Sequence, residues 1–255
     1  MTFTPHRYTF IVVASDSATG DIATDNITLL ANQPPIGGQL SASPRTGLAL
    51  STEFLLQSSG WADPDGPDAV TLSHSFSYVS NGMRILLGSD CFNASGLVTM
   101  HTKLPLGNLS LSVTVRDSVG GATTVTASGG ATFAVVLDQG VGAVSTVRNA
   151  TNEISKLVAA GDGASAMARI AASADTLATA AALAATTDVG VSDDDSLYVE
   201  IRAVLIRLAW NASSAISVET ESTVALRAAA LRLLMGSSQV SNTGDKRLNC
   251  LFKKV

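Results

Sequence analysis

Three carboxylates lie within six residues in the stretch GWADPDGPD, at Asp63, Asp65 and Asp68. Oxygen ligands this close together could bind calcium, and the order Asp-x-Asp-Gly has part of the spacing of an EF-hand loop. The bidentate acid that such a loop needs six residues after its glycine would fall on Leu72, and the flanking patterns indicate strands. The stretch therefore favours a turn, while a different calcium geometry at the end of a β-sandwich stays open.

Residues for catalysis are scarce. Paired catalytic acids flank a substrate cleft, whereas these aspartates share one tight turn. The histidines are His6, His74 and His101, and they show no His-x-x-His spacing and no cysteine partner. The sequence therefore does not offer the ligands of a zinc site or the residues of a nucleophile–base pair. His74 lies on the apolar face of a predicted strand and is expected to be a core histidine. We predict no enzymatic activity, no bound metal and no cofactor.

A second acidic run, Asp193–Asp195, also invites a metal interpretation. Ser192 followed three residues later by Asp195 forms a capping box, and acids in a first helical turn complement the helix dipole. The run therefore predicts the start of a helix.

The composition excludes several functional classes. Hydrophobic residues make up 46% of the 255 residues and charged residues 15%, so the chain can bury a core. The net charge of −5 comes without clusters of Lys and Arg, which excludes a nucleic-acid surface. No apolar run reaches the roughly 20 residues of a membrane-spanning helix. The cysteines Cys91 and Cys250 are far apart, so neither a disulfide framework nor their redox state can be derived from them.

Asparagine occurs unusually often in N-x-Ser/Thr sequons. Five of the ten asparagines do so, where chance in this Ser/Thr-rich chain would give about two. Accidental sequons remain an alternative, but the excess favours a protein of the secretory route. The candidate N-glycosylation sites are Asn26, Asn93, Asn108, Asn149 and Asn211.

The two halves of the chain have different hydrophobic periods. Up to about Val136, apolar and polar residues alternate, as in LSLSVTVRD, and turn-forming stretches separate the runs. This pattern predicts short antiparallel strands in a sandwich. Beyond Gly142 alanine dominates and apolar residues recur at three and four, which predicts helices over 144–160, 164–186, 197–212 and 218–234.

A series of short motifs runs through residues 32–68: N-x-P-P-x-G-G, S-P-x-x-G-x-A-L, a phenylalanine strand and G-W-x-D. An aromatic strand, an L-P-x-G turn and a V-x-V-x-D-x-x-G strand end follow in order. The motif residues are Asn32, Pro34, Pro35, Gly37, Gly38, Ser43, Pro44, Gly47, Ala49, Leu50, Phe54, Gly60, Trp61, Asp63, Phe76, Tyr78, Leu104, Pro105, Gly107, Val113, Val115, Asp117 and Gly120. Together they resemble the receptor-for-egg-jelly (REJ) region of polycystin-type membrane proteins.

The resemblance implies a division of the chain into three parts. Residues 32–137 are expected to form a β-sandwich of the immunoglobulin or fibronectin-III kind, and residues 138–255 an Ala-rich helical region. Residues 1–31 resemble the last strands of a preceding sandwich. The resemblance also implies that Trp61 and Asp63 form a structural corner, in which the Trp61 indole packs into the core. The family usually has cysteines where Leu40 and Ser58 stand, which implies that one disulfide has been lost as a unit.

The expected function is that of a non-enzymatic extracellular module in a large polycystin-like receptor or adhesion protein, serving as a ligand-binding or spacer segment. Its partner would be an extracellular protein or a glycan. The location would be the extracellular face of the plasma or ciliary membrane, or the protein would be secreted. The alternative is a secreted or wall-anchored structural adhesin with the same sandwich. The cleavage tripeptide His-Leu-Thr is absent, so autoproteolysis is not carried over.

Overall fold

The computed structural model describes residues 7–65, 72–80, 82–88, 90–92, 96–127, 130–186, 195–216 and 220–236. Within these ranges strands come first and helices follow, as the change of hydrophobic period predicts. The strands are β1 (Arg7–Ser15), β2 (Ile22–Leu30), β3 (Gln39–Ser43), β4 (Thr46–Leu48), β5 (Glu53–Ser59), β6 (Ser73–Ser80), β7 (Met83–Leu86), β8 (Cys91–Phe92), β9 (Val98–Lys103), β10 (Gly107–Arg116), β11 (Ala122–Thr126) and β12 (Thr132–Val136). The helices are α1 (Ala143–Ala159), α2 (Gly163–Thr186), α3 (Asp195–Ala215) and α4 (Glu221–Gly236).

Strands β1 and β2 form a hairpin of their own. They pair antiparallel from Arg7 opposite Leu30 to Ser15 opposite Ile22, and every residue of both strands is exposed. The register collects one apolar set on a single face: Tyr8, Phe10, Val12, Ile27 and Leu29. Among the described residues nothing covers this face, although an isolated two-stranded hairpin is only marginally stable in water.

The remaining strands form two sheets. The pairs β3–β5, β5–β9, β6–β7, β6–β8, β6–β10 and β10–β11 are antiparallel, whereas β4 and β12 run parallel, because the Ala134 amide donates to the Arg45 carbonyl and the Ala49 amide donates to the Val136 carbonyl. The larger has the order β4-β12-β10-β6-β7, with β11 also on β10 and β8 also on β6, and the smaller has the order β3-β5-β9. The alternation of apolar and polar residues along β10 determines which face of the large sheet is buried. The buried apolar residues of this strand are Leu109, Leu111, Val113 and Val115, and the residues between them are more polar. Phe54 and Leu56 of β5 supply buried side chains from the other sheet.

Strands β3 and β5 bring Leu40 directly opposite Ser58. Both side chains are buried, so they lie on the inner face of the small sheet. The connection between the two strands is not a single turn, because the chain first forms β4, which pairs with β12 of the large sheet, before it returns as β5.

The four predicted helices are present, with ends set by local chemistry. Helix α4 begins at Glu221, because Thr220 and Thr223 exchange hydrogen bonds in a capping arrangement: the Thr223 amide donates to Thr220 Oγ1 at 3.2 Å, and the Thr220 amide donates to Thr223 Oγ1 at 2.8 Å. Helix α3 begins at Asp195, but Ser192, Asp193 and Asp194 and the Asp195 side chain lie outside the described residues, so the predicted cap stays a prediction.

The chain divides into two compact units, the second comprising residues 48–51, 104–107 and 135–255. Its central helix is α2, which contacts α1, α3 and α4 and is buried almost throughout residues 166–177. Alanine and serine there allow close helix packing. Within the same unit the Leu106 amide donates to Thr176 Oγ1 at 3.2 Å. In the part of the chain that is described, no helix combines the length and the apolar character that crossing a membrane requires.

The register of β3 and β5 predicts that a double variant, Leu40→Cys with Ser58→Cys, forms a disulfide. Directly opposed residues on antiparallel strands lie within the Cα range of a disulfide, and a loop of about 18 residues gives roughly 3 kcal/mol of stabilisation. Oxidised and reduced protein are compared in urea melts. The control pair Ala42→Cys with Ser58→Cys is diagonal and should oxidise poorly. Free thiols in the opposed pair under mild oxidant would contradict the register.

Candidate functional site

Two glycine-containing motifs meet at one corner of the β-rich unit. Ile36 and Ala62 form an isolated bridge, in which each amide donates to the other residue's carbonyl, at 2.8 Å and 2.9 Å. Next to the bridge, Gly37 has φ of 80° and Gly60 has φ of 76°. Residues with a side chain rarely adopt this left-handed conformation. The glycines of N-x-P-P-x-G-G and G-W-x-D therefore allow the two segments to turn and pair.

The Trp61 side chain fills this corner. It is 7% exposed, and its ring lies directly against the backbone of Gly38. A Cβ atom at Gly38 would fall less than 3.0 Å from several atoms of the indole. Gly38 is thus required by space, because no side chain fits between its Cα and the ring.

The polar edge of Trp61 reaches the interior between the two sheets. Its Nε1–H donates to Ser58 Oγ at 2.8 Å, and Ser58 Oγ also shares a 3.0 Å hydrogen bond with His74 Nδ1. The indole and imidazole rings meet edge to face, 6.4 Å apart at 86°. Ser58 is on β5 and His74 on β6, so this network links the small sheet to the large one.

His74 is 2% exposed, and burial lowers the pKa of its imidazole below the ordinary value of 6.5. The ring is therefore neutral near pH 7 and acts as a packed hydrogen-bonding residue of the core. Cys91 lies opposite His74 on β8. Burial, and secondarily the nearby Asp90, raise the pKa of the Cys91 thiol, which leaves it protonated and a poor nucleophile. Cys250 lies outside the described residues.

The acidic stretch after Trp61 is engaged in backbone hydrogen bonds as far as it is described. Asp63 Oδ1 accepts the Asp65 amide at 3.0 Å, an Asx turn, and the Asp65 carboxylate accepts the Gln33 amide. Asp68 lies outside the described residues. Over the described residues, no three His, Cys, Asp or Glu side chains come together in a way that could hold a metal ion.

A second corner is built on the carboxylate of Asp117, which is 7% exposed. Its Oδ1 accepts the amides of Val119, Gly120 and Gly121 at 2.9, 2.7 and 2.9 Å, and its Oδ2 accepts Asn32 Nδ2–H at 2.9 Å. Burial alone would raise the pKa of Asp117, but the hydrogen bonds from Asn32 and the three amides together outweigh it and hold the pKa below 3.8. The carboxylate is ionised. Through Asn32 it connects the motif N-x-P-P-x-G-G to the turn that follows β10.

Gly121 completes this corner. A Cβ there would come within 3.0 Å of the Asp117 carboxylate and of the Asn32 amide group. The sequence identified Asn32 and Asp117 as motif residues without indicating that they bind each other. The signal in the sequence that could have indicated this corner is Asp117 at a strand end, followed closely by Gly120 and Gly121.

The predicted glycosylation sites are on the surface where the structure describes them. The side chains of Asn26 on β2, Asn108 on β10, Asn149 on α1 and Asn211 on α3 are exposed. Asn108 is the second residue of β10 and not part of the preceding turn. Asn93 lies outside the described residues.

These arrangements hold segments of the fold in place. The Ser58, Trp61 and His74 side chains bind one another, and the Asp117 carboxylate is filled by four donors. The family model of the REJ domain matches residues 4–172, more than half of the chain.

The chain belongs to the REJ domain family. The match confirms the resemblance read from the motifs, and it extends beyond them to include the β1–β2 hairpin, α1 and the first part of α2. A search of curated proteins finds no match.

Gly38→Ala should destabilise the REJ domain by about 1–3 kcal/mol, because the new methyl group overlaps the Trp61 ring and forces it to move. Urea unfolding followed by tryptophan fluorescence measures both the stability and the ring environment. The matched control is Gly88→Ala, whose methyl meets only the flexible end of Met100 at 3.3 Å. Equal stabilities for the two variants would mean that the indole does not rest on Gly38.

Asp117→Asn should cost about 1.5–3 kcal/mol near neutral pH, because hydrogen bonds to an ionised carboxylate are replaced by weaker ones. Since the pKa of Asp117 is lower in the folded state, its contribution is present above pH 3.8 and is lost as the pH falls below that value. The stability difference between wild type and variant should therefore shrink on acidification. The exposed Asp138→Asn is the control, expected within about 0.5 kcal/mol of wild type. A pH-independent difference would contradict the ionised network.

The absence of a calcium requirement stays a prediction. Melting temperatures in excess calcium and in chelator should be equal, because Asp63 and Asp65 are occupied by backbone amides. A calcium-dependent increase that disappears in Asp65→Ala would contradict this and restore the metal interpretation of the turn.

Proposed function

We propose that this REJ domain chain is a non-enzymatic extracellular module of a larger polycystin-like receptor or adhesion protein, and that it acts as a ligand-binding or spacer segment. The observation that carries the proposal is the family match over residues 4–172. REJ domains belong to the extracellular regions of polycystin-type proteins and are not catalytic.

The use of the polar groups supports a structural role. The buried side chains Ser58, His74 and Asp117 take part in corner networks. A catalytic group must instead reach a reacting atom with its proton or lone pair available. A module of this kind acts by burying surface against a partner, and here the partner would be an extracellular protein or a glycan.

The proposal includes the fold subtype and the hairpin. Two sheets of mostly antiparallel strands, joined through Ser58 and His74, support a sandwich of the immunoglobulin or fibronectin-III kind. The exposed apolar face of β1 and β2 supports the assignment of residues 1–31 to the last strands of a preceding sandwich, whose opposite sheet would cover that face. Residues 32–137 would then be the sandwich and residues 138–255 the helical region.

Location follows from the same proposal. The chain would lie on the extracellular face of the plasma or ciliary membrane, within a membrane-anchored parent protein, or would be secreted. The four exposed sequon asparagines, on β2, β10, α1 and α3, support passage through the secretory route.

Expression in a eukaryotic secretory host should yield folded protein with N-glycan at several sequons, Asn108 foremost because it is exposed near a strand end. Glycopeptide mass spectrometry measures the occupancy of each site, and an Asn108→Gln variant should lose one glycan mass without loss of folding. Folded, secreted protein in which every sequon is unmodified would remove the independent support for an extracellular location.

A further inference from the structure

An open cleft lies between α3 and α4 in the helical unit. It has a volume of about 210 Å³ and is lined by Trp210, Ser213, Ser214 and Arg227. Trp210 is 63% exposed, unlike the buried Trp61. Arg227 of α4 donates from Nη2 to the Ser213 carbonyl at 2.9 Å, so its guanidinium is held at the wall of the cleft. Ser214 Oγ donates to the Trp210 carbonyl at 3.2 Å, so this hydroxyl offers its lone pairs as an acceptor. The cleft thus combines one aromatic surface with hydroxyl and guanidinium groups.

A sequon adjoins the cleft. It consists of Asn211, Ala212 and Ser213, of which Asn211 is exposed, Ala212 is buried and Ser213 lines the cleft. Ser214, another lining residue, lies three positions after Asn211 and is therefore its neighbour on the helix surface. A group attached to Asn211 Nδ2 starts next to Ser214 and has the indole of Trp210 within the same turn of helix.

We propose that the cleft binds the first N-acetylglucosamine of an N-linked glycan on Asn211, with the sugar stacked on Trp210. The inference rests on the proposed extracellular function, because only the secretory route supplies the donor, a lipid-diphosphate-linked oligosaccharide. In the transfer, Asn211 Nδ2 forms a bond to C1 of the sugar, the bond from C1 to the diphosphate oxygen breaks, and the amide loses one proton as the lipid diphosphate leaves.

The chemistry of the cleft fits a hexosamine. One face of a pyranose ring presents C–H groups that pack on an aromatic ring, and its hydroxyl and acetamide groups accept and donate hydrogen bonds at the rim. The volume is below the roughly 300 Å³ or more of a site for a drug-sized ligand, so the cleft suits a single small ring. Because the glycan is covalently attached, its effective concentration at the cleft is on the order of millimolar, and a weak contact suffices to hold it.

The experiment uses the whole chain secreted from a eukaryotic host whose glycans an endoglycosidase can trim to one sugar. Acrylamide quenching of tryptophan fluorescence reports on Trp210, because Trp61 is buried. Covering one of the two faces of the indole should lower the quenching constant on the order of twofold relative to protein with no glycan at Asn211. Asn211→Gln should therefore show the higher constant, and the matched variant Asn149→Gln, whose sequon is on α1, should equal wild type.

Each outcome separates the inference from the function on which it rests. Protection that survives trimming to one sugar and is lost in Asn211→Gln supports the proposal. Equal quenching in wild type and Asn211→Gln, with Asn211 shown to be occupied, overturns it. An unmodified Asn211 beside other occupied sequons also overturns it and leaves the extracellular function intact. If no sequon is modified in secreted protein, the proposed function itself loses its support.

Discussion

The contact on which the β-rich unit depends is the one between the Trp61 ring and the backbone of Gly38. A large, mostly apolar ring can be buried at a sheet corner only if the opposing segment has no side chain at the point of contact, and Gly38 meets that condition. The neighbouring glycines 37 and 60 turn their segments so that Ile36 and Ala62 can pair. Once the ring is in place, its single donor reaches Ser58 and, through it, the opposite sheet. Backbone conformation, packing and a buried polar network are therefore parts of one arrangement.

Ser58 has a second significance, because the resemblance places a cysteine at this position and another at Leu40. The structure puts the two residues directly opposite each other on β3 and β5. In place of a covalent link, Leu40 contributes buried apolar surface, while the Ser58 hydroxyl joins the indole to the imidazole. A hydroxyl is both donor and acceptor, so it can serve two partners at once, which a disulfide sulfur does poorly. The Ser58 hydroxyl thus contributes hydrogen bonds that link the two sheets.

Much of the fold could be predicted from local patterns, since alternation along β10 and the spacing of three and four in the helices depend only on neighbouring residues. The pairing partners could not be predicted in this way. The strand β4 pairs within the large sheet, and Asn32 binds Asp117, which is 85 positions away in the sequence. Neither contact can be predicted from the residues adjacent to it in the sequence. His74 was predicted as a core residue from the apolar face on which it lies, but its link to Ser58 required the structure. The Trp61 motif was apparent from the family resemblance, whereas the steric reason for Gly38 was not.

At the two corners, a ring packed on glycine and a carboxylate bonded by amides fix the shape of the fold, which the proposed role as an extracellular module requires. The most direct test of this account is hydrogen–deuterium exchange of the Trp61 indole N–H, followed by NMR. A proton that is buried and donated to Ser58 should exchange only when the domain opens, slower by several orders of magnitude than the indole N–H of the exposed Trp210. Equally rapid exchange at both tryptophans would contradict the buried corner on which the rest of the account is built.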